Sequence, residues 1–117
     1  MEIGIIGFGY VGKAMHSVLS PHYKVRTYDT NGNGSSTKVE DVIKKSEVIF
    51  VCVPTPMKKD GSCDTSIVEG VVKDINNVCL VRQCSNRIIA IKSTIPPGTT
   101  NRLNKENEFV SVIFNPE

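Results

Sequence analysis

Gly7, Gly9 and Gly12, in "GFGYVG", put three glycines into six positions of an apolar run near the start of the chain. Each gives up a side chain that could pack and adds chain entropy that folding must remove, so something has to compensate. The spacing G-x-G-x-x-G suits an anionic ligand. The first glycine permits a tight turn out of a strand, the second lets backbone approach a pyrophosphate without a Cβ in the way, and the third lets helix and strand pack closely. Tyr10, Val11 and Gly12 supply neither a Ser/Thr/Asp/Asn cap nor an acidic first turn, which leaves helix N–H groups and the positive dipole end for an anion. Asp29, about twenty residues on, stands where an acid would accept hydrogen bonds from an adenosine ribose. These residues together point to dinucleotide binding rather than a plain structural turn. Asp29 favours NAD over NADP: its charge repels a 2′-phosphate, and residues 30 to 37 hold no Arg or Lys to counter it.

The elements that must position these groups follow from periodicity. "EIGII" (2–6) reads as a strand, and Val11, Ala14, Met15, Val18 and Leu19 follow at helical spacing until Ser20-Pro21. "YKVRTYD" (23–29) reads as a second strand, and Thr37 with Glu40 resembles a capping box opening the helix "KVEDVIKKS". "EVIFVCV" (47–53) is apolar enough to be buried on both faces. Asp64 can cap a helix on which Ile67, Val68, Val71, Val72 and Ile75 form one apolar stripe. "RIIAIKS" (87–93), a short polar helix around 99–106 and "FVSVIF" (109–114) complete an alternation of strands and helices. That alternation predicts a single α/β domain with a doubly wound parallel sheet of about five strands. Ligands of such sheets sit beyond the carboxyl ends of the strands. Every unusual motif is predicted to fall there: the glycine cluster, Tyr28-Asp29, Val53-Pro54-Thr55-Pro56, Ser93-Thr94 and Asn115-Pro116-Glu117.

Composition narrows the class. At 117 residues the chain suffices for one domain with a real core, and 14 basic against 12 acidic residues offer no basic face of the kind nucleic acid requires. No stretch approaches the length of a membrane span, and Glu2 and Gly4 spoil a signal-peptide reading, so the expected location is the cytoplasm. Cys52, Cys63, Cys79 and Cys84 show no C-x-x-C spacing, and only two histidines are available in the chain to complete a metal site. The cysteines read as reduced structural thiols, with no metal site. The one biased segment is the loop "NGNGSS" at 31–36.

Two motifs stay ambiguous on physics alone. "VPTP" is either a rigid loop or a shelf from Val53 to Met57 with the Thr55 hydroxyl facing the cofactor. Ser93 and Thr94 either cap a turn or present hydroxyls toward the nicotinamide end.

"GFGYVG", Asp29, "VPTPMKKDGSCDTS", "KSTIPPGTT" and the terminal "FNPE", in this order and spacing, resemble the Rossmann-like N-terminal NAD-binding domain of the UDP-glucose 6-dehydrogenase family across essentially the whole chain. The resemblance implies oxidation of the C6 hydroxyl of a nucleotide sugar to a carboxylate, UDP-glucose to UDP-glucuronate, with two NAD, through an aldehyde and a cysteine-bound thioester. It implies cofactor contacts from Gly7, Phe8, Gly9, Tyr10, Val11, Gly12, Asp29, Val53, Pro54, Thr55, Pro56, Ser93 and Thr94. Thr94 matches a threonine close to the reacting centre, and Glu117 a glutamate that acts in proton transfer.

Two departures stand out. Gly34 occupies a place where some members carry a basic residue near the adenosine. The chain also stops where the family continues into a substrate-contacting segment, a dimerising central helix and a C-terminal domain with the nucleophilic cysteine and a catalytic lysine. None of the four cysteines here is a good substitute, since none has a base beside it in sequence. Lys92 reads as a solvated charge. The expectation is therefore a cofactor domain whose nucleotide-sugar substrate reaches it through a missing or separate C-terminal half. The alternatives are a non-catalytic NAD or nucleotide-binding module or relic, or a domain of a GDP-mannose or UDP-N-acetylmannosamine dehydrogenase. Either way, the chain alone should not turn over UDP-glucose. Its last strand would be an edge, through which it could dimerise or aggregate.

Overall fold

The computed structural model describes residues 1–32, 34–35, 38–82 and 87–115. Five strands and four helices alternate as β1 (Glu2–Ile6), α1 (Tyr10–Leu19), β2 (Lys24–Tyr28), α2 (Val39–Lys45), β3 (Val48–Val51), α3 (Ser66–Arg82), β4 (Arg87–Ile91), α4 (Thr99–Glu106) and β5 (Val110–Phe114). All neighbouring strands are parallel, in the order β2-β1-β3-β4-β5. Strand order reverses between β1 and β3, which makes their carboxyl ends the switch point of the sheet.

Strand register sorts the side chains onto two faces. Gly4, Ile49, Ile89 and Val112 stand in one row, and Ile6, Val51, Ile91 and Phe114 in another on the same face. Against that face pack Val42 and Ile43 of α2, Val68, Val72, Ile75 and Cys79 of α3, and Leu103 of α4, all buried in one core. Each apolar side chain fully buried there contributes roughly 1.5–3 kcal/mol. α2 comes close because β1 has glycine beneath it: a Cβ at Gly4 would lie 2.6 Å from both Val42 Cγ1 and Ser46 Oγ. The other face carries Ile3, Ile5, Val48, Phe50, Ile88 and Ile113. α1 covers it over β1, where Ile5 meets Gly12. Val48 and Phe50 are only partly buried, and Ile88 and Ile113 are 44% and 48% exposed. β3 is therefore buried on one face and half-open on the other, contrary to the two-sided burial its sequence suggests.

The helix ends follow their local chemistry. α1 stops before Pro21, with the Ser20 N–H donating to the His16 carbonyl at 2.9 Å. α3 starts where the Ser66 N–H donates to Asp64 Oδ1 at 3.0 Å, as expected of Asp64. α2 begins one residue later than a Thr37 cap would start it, with extended Lys38 at the N-cap position and no side-chain cap; Thr37 lies outside the described residues. The Arg87 guanidinium closes the other end of α2, donating to the carbonyls of Ile43 at 3.2 Å and Lys44 at 2.9 Å. Cys52, Cys63 and Cys79 form no disulfide among the described residues, and Cys84 lies outside them. Among the described residues no group of His, Cys, Asp and Glu could hold a metal ion, and no helix is long and apolar enough to cross a membrane.

Candidate functional site

The parallel ladder extends beyond each strand at the carboxyl edge. Gly7 N–H donates to Tyr28 O at 2.8 Å, Cys52 N–H to Ile6 O at 2.8 Å, Lys92 N–H to Val51 O at 2.9 Å and Asn115 N–H to Ile91 O at 3.0 Å. These bonds fix five loop starts side by side. Above them opens a cleft of about 890 Å³, within the range of small-molecule sites.

The three glycines of "GFGYVG" meet three different demands. Gly7 has φ +94°, and a Cβ there would lie 2.7 Å from the Cys52 carbonyl oxygen. A Cβ at Gly12 would come within 2.1 Å of the Gly7 carbonyl oxygen, so this glycine sets how tightly α1 seats on its turn. A Cβ at Gly9 would meet nothing within 4 Å. Gly9 lines the cleft and is the N-cap of α1, which has no side-chain cap and no acidic residue in its first turn. The bare backbone at Gly9 thus faces open space at a helix N-terminus, where a phosphate would sit.

Asp29 ends β2 beside this turn. Its Oδ2 accepts the Phe8 N–H at 2.6 Å and its Oδ1 the Asn31 N–H at 3.2 Å. The carboxylate therefore braces the glycine turn, and Asp29 also lines the cleft. The loop after it folds back on the sheet edge: Ser35 N–H donates to Thr27 Oγ1 at 2.7 Å, and Thr27 N–H to Ser35 Oγ at 3.0 Å. Between them a Cβ at Gly34 would lie 2.7 Å from the Tyr28 Cα. That gives a physical reason for the missing basic residue, because no side chain fits at position 34.

Val53, Pro54 and Thr55 line the cleft. Pro56 and Met57 do not, because the chain turns there into a small hairpin closed by the Met57–Cys63 bridge and by Lys58 N–H donating to Ser62 O at 2.7 Å. Ser93, nearly buried, donates its hydroxyl to the Val53 carbonyl at 2.6 Å and so ties β4 to that loop; Thr94 is exposed at the cleft wall. Tyr10 and Val11 line the cleft as expected. Phe8 and Gly12 stand outside its lining, Phe8 meeting Asp29 through its backbone and Gly12 packing on Gly7. Glu117, expected in proton transfer, lies outside the described residues, as does Pro116.

Several lining residues escape the sequence reading. Ile67 and Val71 belong to the stripe read as core, yet Ile67 is 42% exposed and both face the cleft, while Val68, Val72, Ile75 and Cys79 form the buried row. An apolar band broader than one row of i, i+4 neighbours was the available signal. Val39 and Asp74 join them in the lining. Lys92 also lines the cleft, its Nζ donating to Asn115 Oδ1 at 3.2 Å, so it is not simply a solvated charge.

An open parallel sheet with its glycine turn, strand-end acid and cleft at the switch point defines a dinucleotide-binding domain of the doubly wound class. The family model of the UDP-glucose/GDP-mannose dehydrogenase family, NAD binding domain, matches residues 24–117, and the chain belongs to that family. Its cofactor is NAD. The chain is 28% identical to a UDP-glucose 6-dehydrogenase of Streptococcus pneumoniae, covering 100% of this chain and 36% of that one. It is 30% identical to a UDP-N-acetyl-D-mannosamine dehydrogenase of Methanococcus maripaludis, covering 99% and 34%. In structure it matches a GDP-mannose dehydrogenase of Pseudomonas aeruginosa with a TM-score of 0.82 at 23% identity, over 100% of this chain and 36% of that one. The chain thus spans about a third of the length of these relatives. The Streptococcus match also runs over 149 positions against 117 residues here, so that relative carries residues within the matched span that this chain lacks.

Proposed function

We propose that this chain is the cofactor half of a cytoplasmic nucleotide-sugar 6-dehydrogenase that oxidises UDP-glucose to UDP-glucuronate. The observation that carries the reading is the convergence on one cleft of the bare Gly9 backbone, the Asp29 carboxylate and the Ser93-Thr94 strand end. In this reading Gly7 to Gly12 cradle the diphosphate and Asp29 holds the adenosine ribose. Val53 to Pro56 back the cofactor, and Ser93 and Thr94 address its nicotinamide end. NAD, when bound, would supply the hydride acceptor for that oxidation. Thr94 and Glu117 are the residues of this chain assigned to the reacting centre, Glu117 in proton transfer. The nucleophilic cysteine and the groups that read the sugar belong to a C-terminal half, in the same chain or a separate one. Relatives acting on GDP-mannose and UDP-N-acetylmannosamine make those sugars the alternatives.

Calorimetric titration with NAD and NADP, on wild type and Asp29→Ala, tests the cofactor assignment. NAD should bind, NADP should not, and the substitution should remove the preference. A folded chain that takes up neither dinucleotide would refute the reading and favour a module for some other ligand. NAD and UDP-glucose together should yield no NADH with this chain alone.

A further inference from the structure

Besides Asp29, the cleft is lined by Val39 at the start of α2, Ile67 and Val71 of α3 and Tyr28 of β2, an apolar bay. If Asp29 holds the adenosine ribose, as proposed above, the base attached to that ribose has to lie within one glycosidic bond of it. This bay offers the apolar walls a flat purine needs. Asp74 stands in the same lining, one helical turn beyond Val71. It makes no hydrogen bond or ion pair with any described residue, unlike Asp29, Asp60, Asp64 and Glu69. An ionised carboxylate only accepts hydrogen bonds. Adenine carries a donor at its 6-position, the exocyclic amino group, where a 6-oxo purine carries an acceptor. We infer that Asp74 is the residue that reads the base, accepting the 6-amino group of adenine and selecting against dinucleotides whose purine has oxygen there.

The test compares NAD with nicotinamide hypoxanthine dinucleotide, in which the 6-amino donor becomes a 6-oxo acceptor and N1 gains a proton, on wild type, Asp74→Asn and Asp74→Leu. Wild type should prefer NAD by roughly fivefold, the scale of one solvent-accessible hydrogen bond and the repulsion that replaces it. Asp74→Asn can turn its amide to donate to the 6-oxo group, so its ratio should fall to about one through better binding of the analogue. Asp74→Leu should reach a similar ratio through weaker binding of NAD. Because Asp74 is exposed and unpartnered, both variants should melt with the wild type, and the ratio is insensitive to small changes in folded fraction. A wild type that binds NAD without discriminating, or variants that keep its preference, overturns the role of Asp74 alone. A folded wild type that binds neither dinucleotide overturns the cofactor reading beneath it as well.

Discussion

At the residue scale, glycines identical in the sequence serve opposite ends. Gly9 has φ −86°, outside the left-handed region, and a Cβ there would meet nothing within 4 Å, so Gly9→Ala should fold normally. Its side chain would occupy the space above the α1 N-terminus, and NAD affinity should fall about tenfold or more, read by calorimetry beside an unchanged melting temperature. Gly12→Ala should do the reverse in the first instance. A Cβ 2.1 Å from the Gly7 carbonyl must push α1 off its turn, at about 2–3 kcal/mol of unfolding free energy in urea denaturation. Ser46 is the converse of a required residue. Its hydroxyl is fully buried with no partner, so Ser46→Ala should stabilise the fold by about 1 kcal/mol, and a loss of stability there would show that the hydroxyl is satisfied in solution.

At the element scale, α3 shows what the sequence could and could not disclose. Its existence and its burial against the sheet follow from apolar spacing. That spacing cannot tell a side chain facing the core from one facing a ligand bay, and so Ile67 and Val71 read as core. The three-glycine turn and Asp29 were legible because their residue types are costly anywhere else. The bracing of Phe8 by Asp29 and the turning away of Pro56 depend on distances between loops that no periodicity encodes. α3 is also joined to α4 by the Arg102 guanidinium at 2.5 Å from Glu69 Oε1, while Glu69 Oε2 accepts the Thr65 hydroxyl at the start of α3 itself at 2.6 Å. Arg102 first, and Thr65 second, hold the Glu69 carboxyl below its ordinary 4.5. A carboxyl lowered on folding stabilises above its unfolded value and loses that contribution as pH falls through the folded one. Glu69→Gln should therefore cost up to about 1 kcal/mol at neutral pH, and the gap in melting temperature should close as pH falls below 4.5 through the lowered folded-state value. A gap that persists in acid would mean the pair contributes through packing alone.

At the scale of the whole molecule, helices are unevenly shared. α2, α3 and α4 cover one face of the sheet, and α1 alone stands on the other. The open half of that second face is a strip of Val48, Phe50, Ile88 and Ile113 running across β3, β4 and β5. Contiguous apolar surface of this kind is unusual on a monomer. The edges of the sheet are a smaller hazard on one side, because Ser35 occupies the outward N–H of Thr27 on β2. Association is therefore expected through the bare face more than through the β5 edge alone, with a second copy of the chain as the occupant in a purified sample. Sedimentation at rising concentration should show mass increasing beyond the 12.8 kDa of one chain. The double variant Ile88→Thr, Ile113→Thr keeps β-branched side chains suited to strands and should hold the monomer at concentrations where wild type associates. Neither isoleucine lines the cleft, so NAD affinity should be unchanged in that variant. A wild type that stays monomeric throughout would show that this face tolerates water, and an associating double variant would return the contact to the β5 edge.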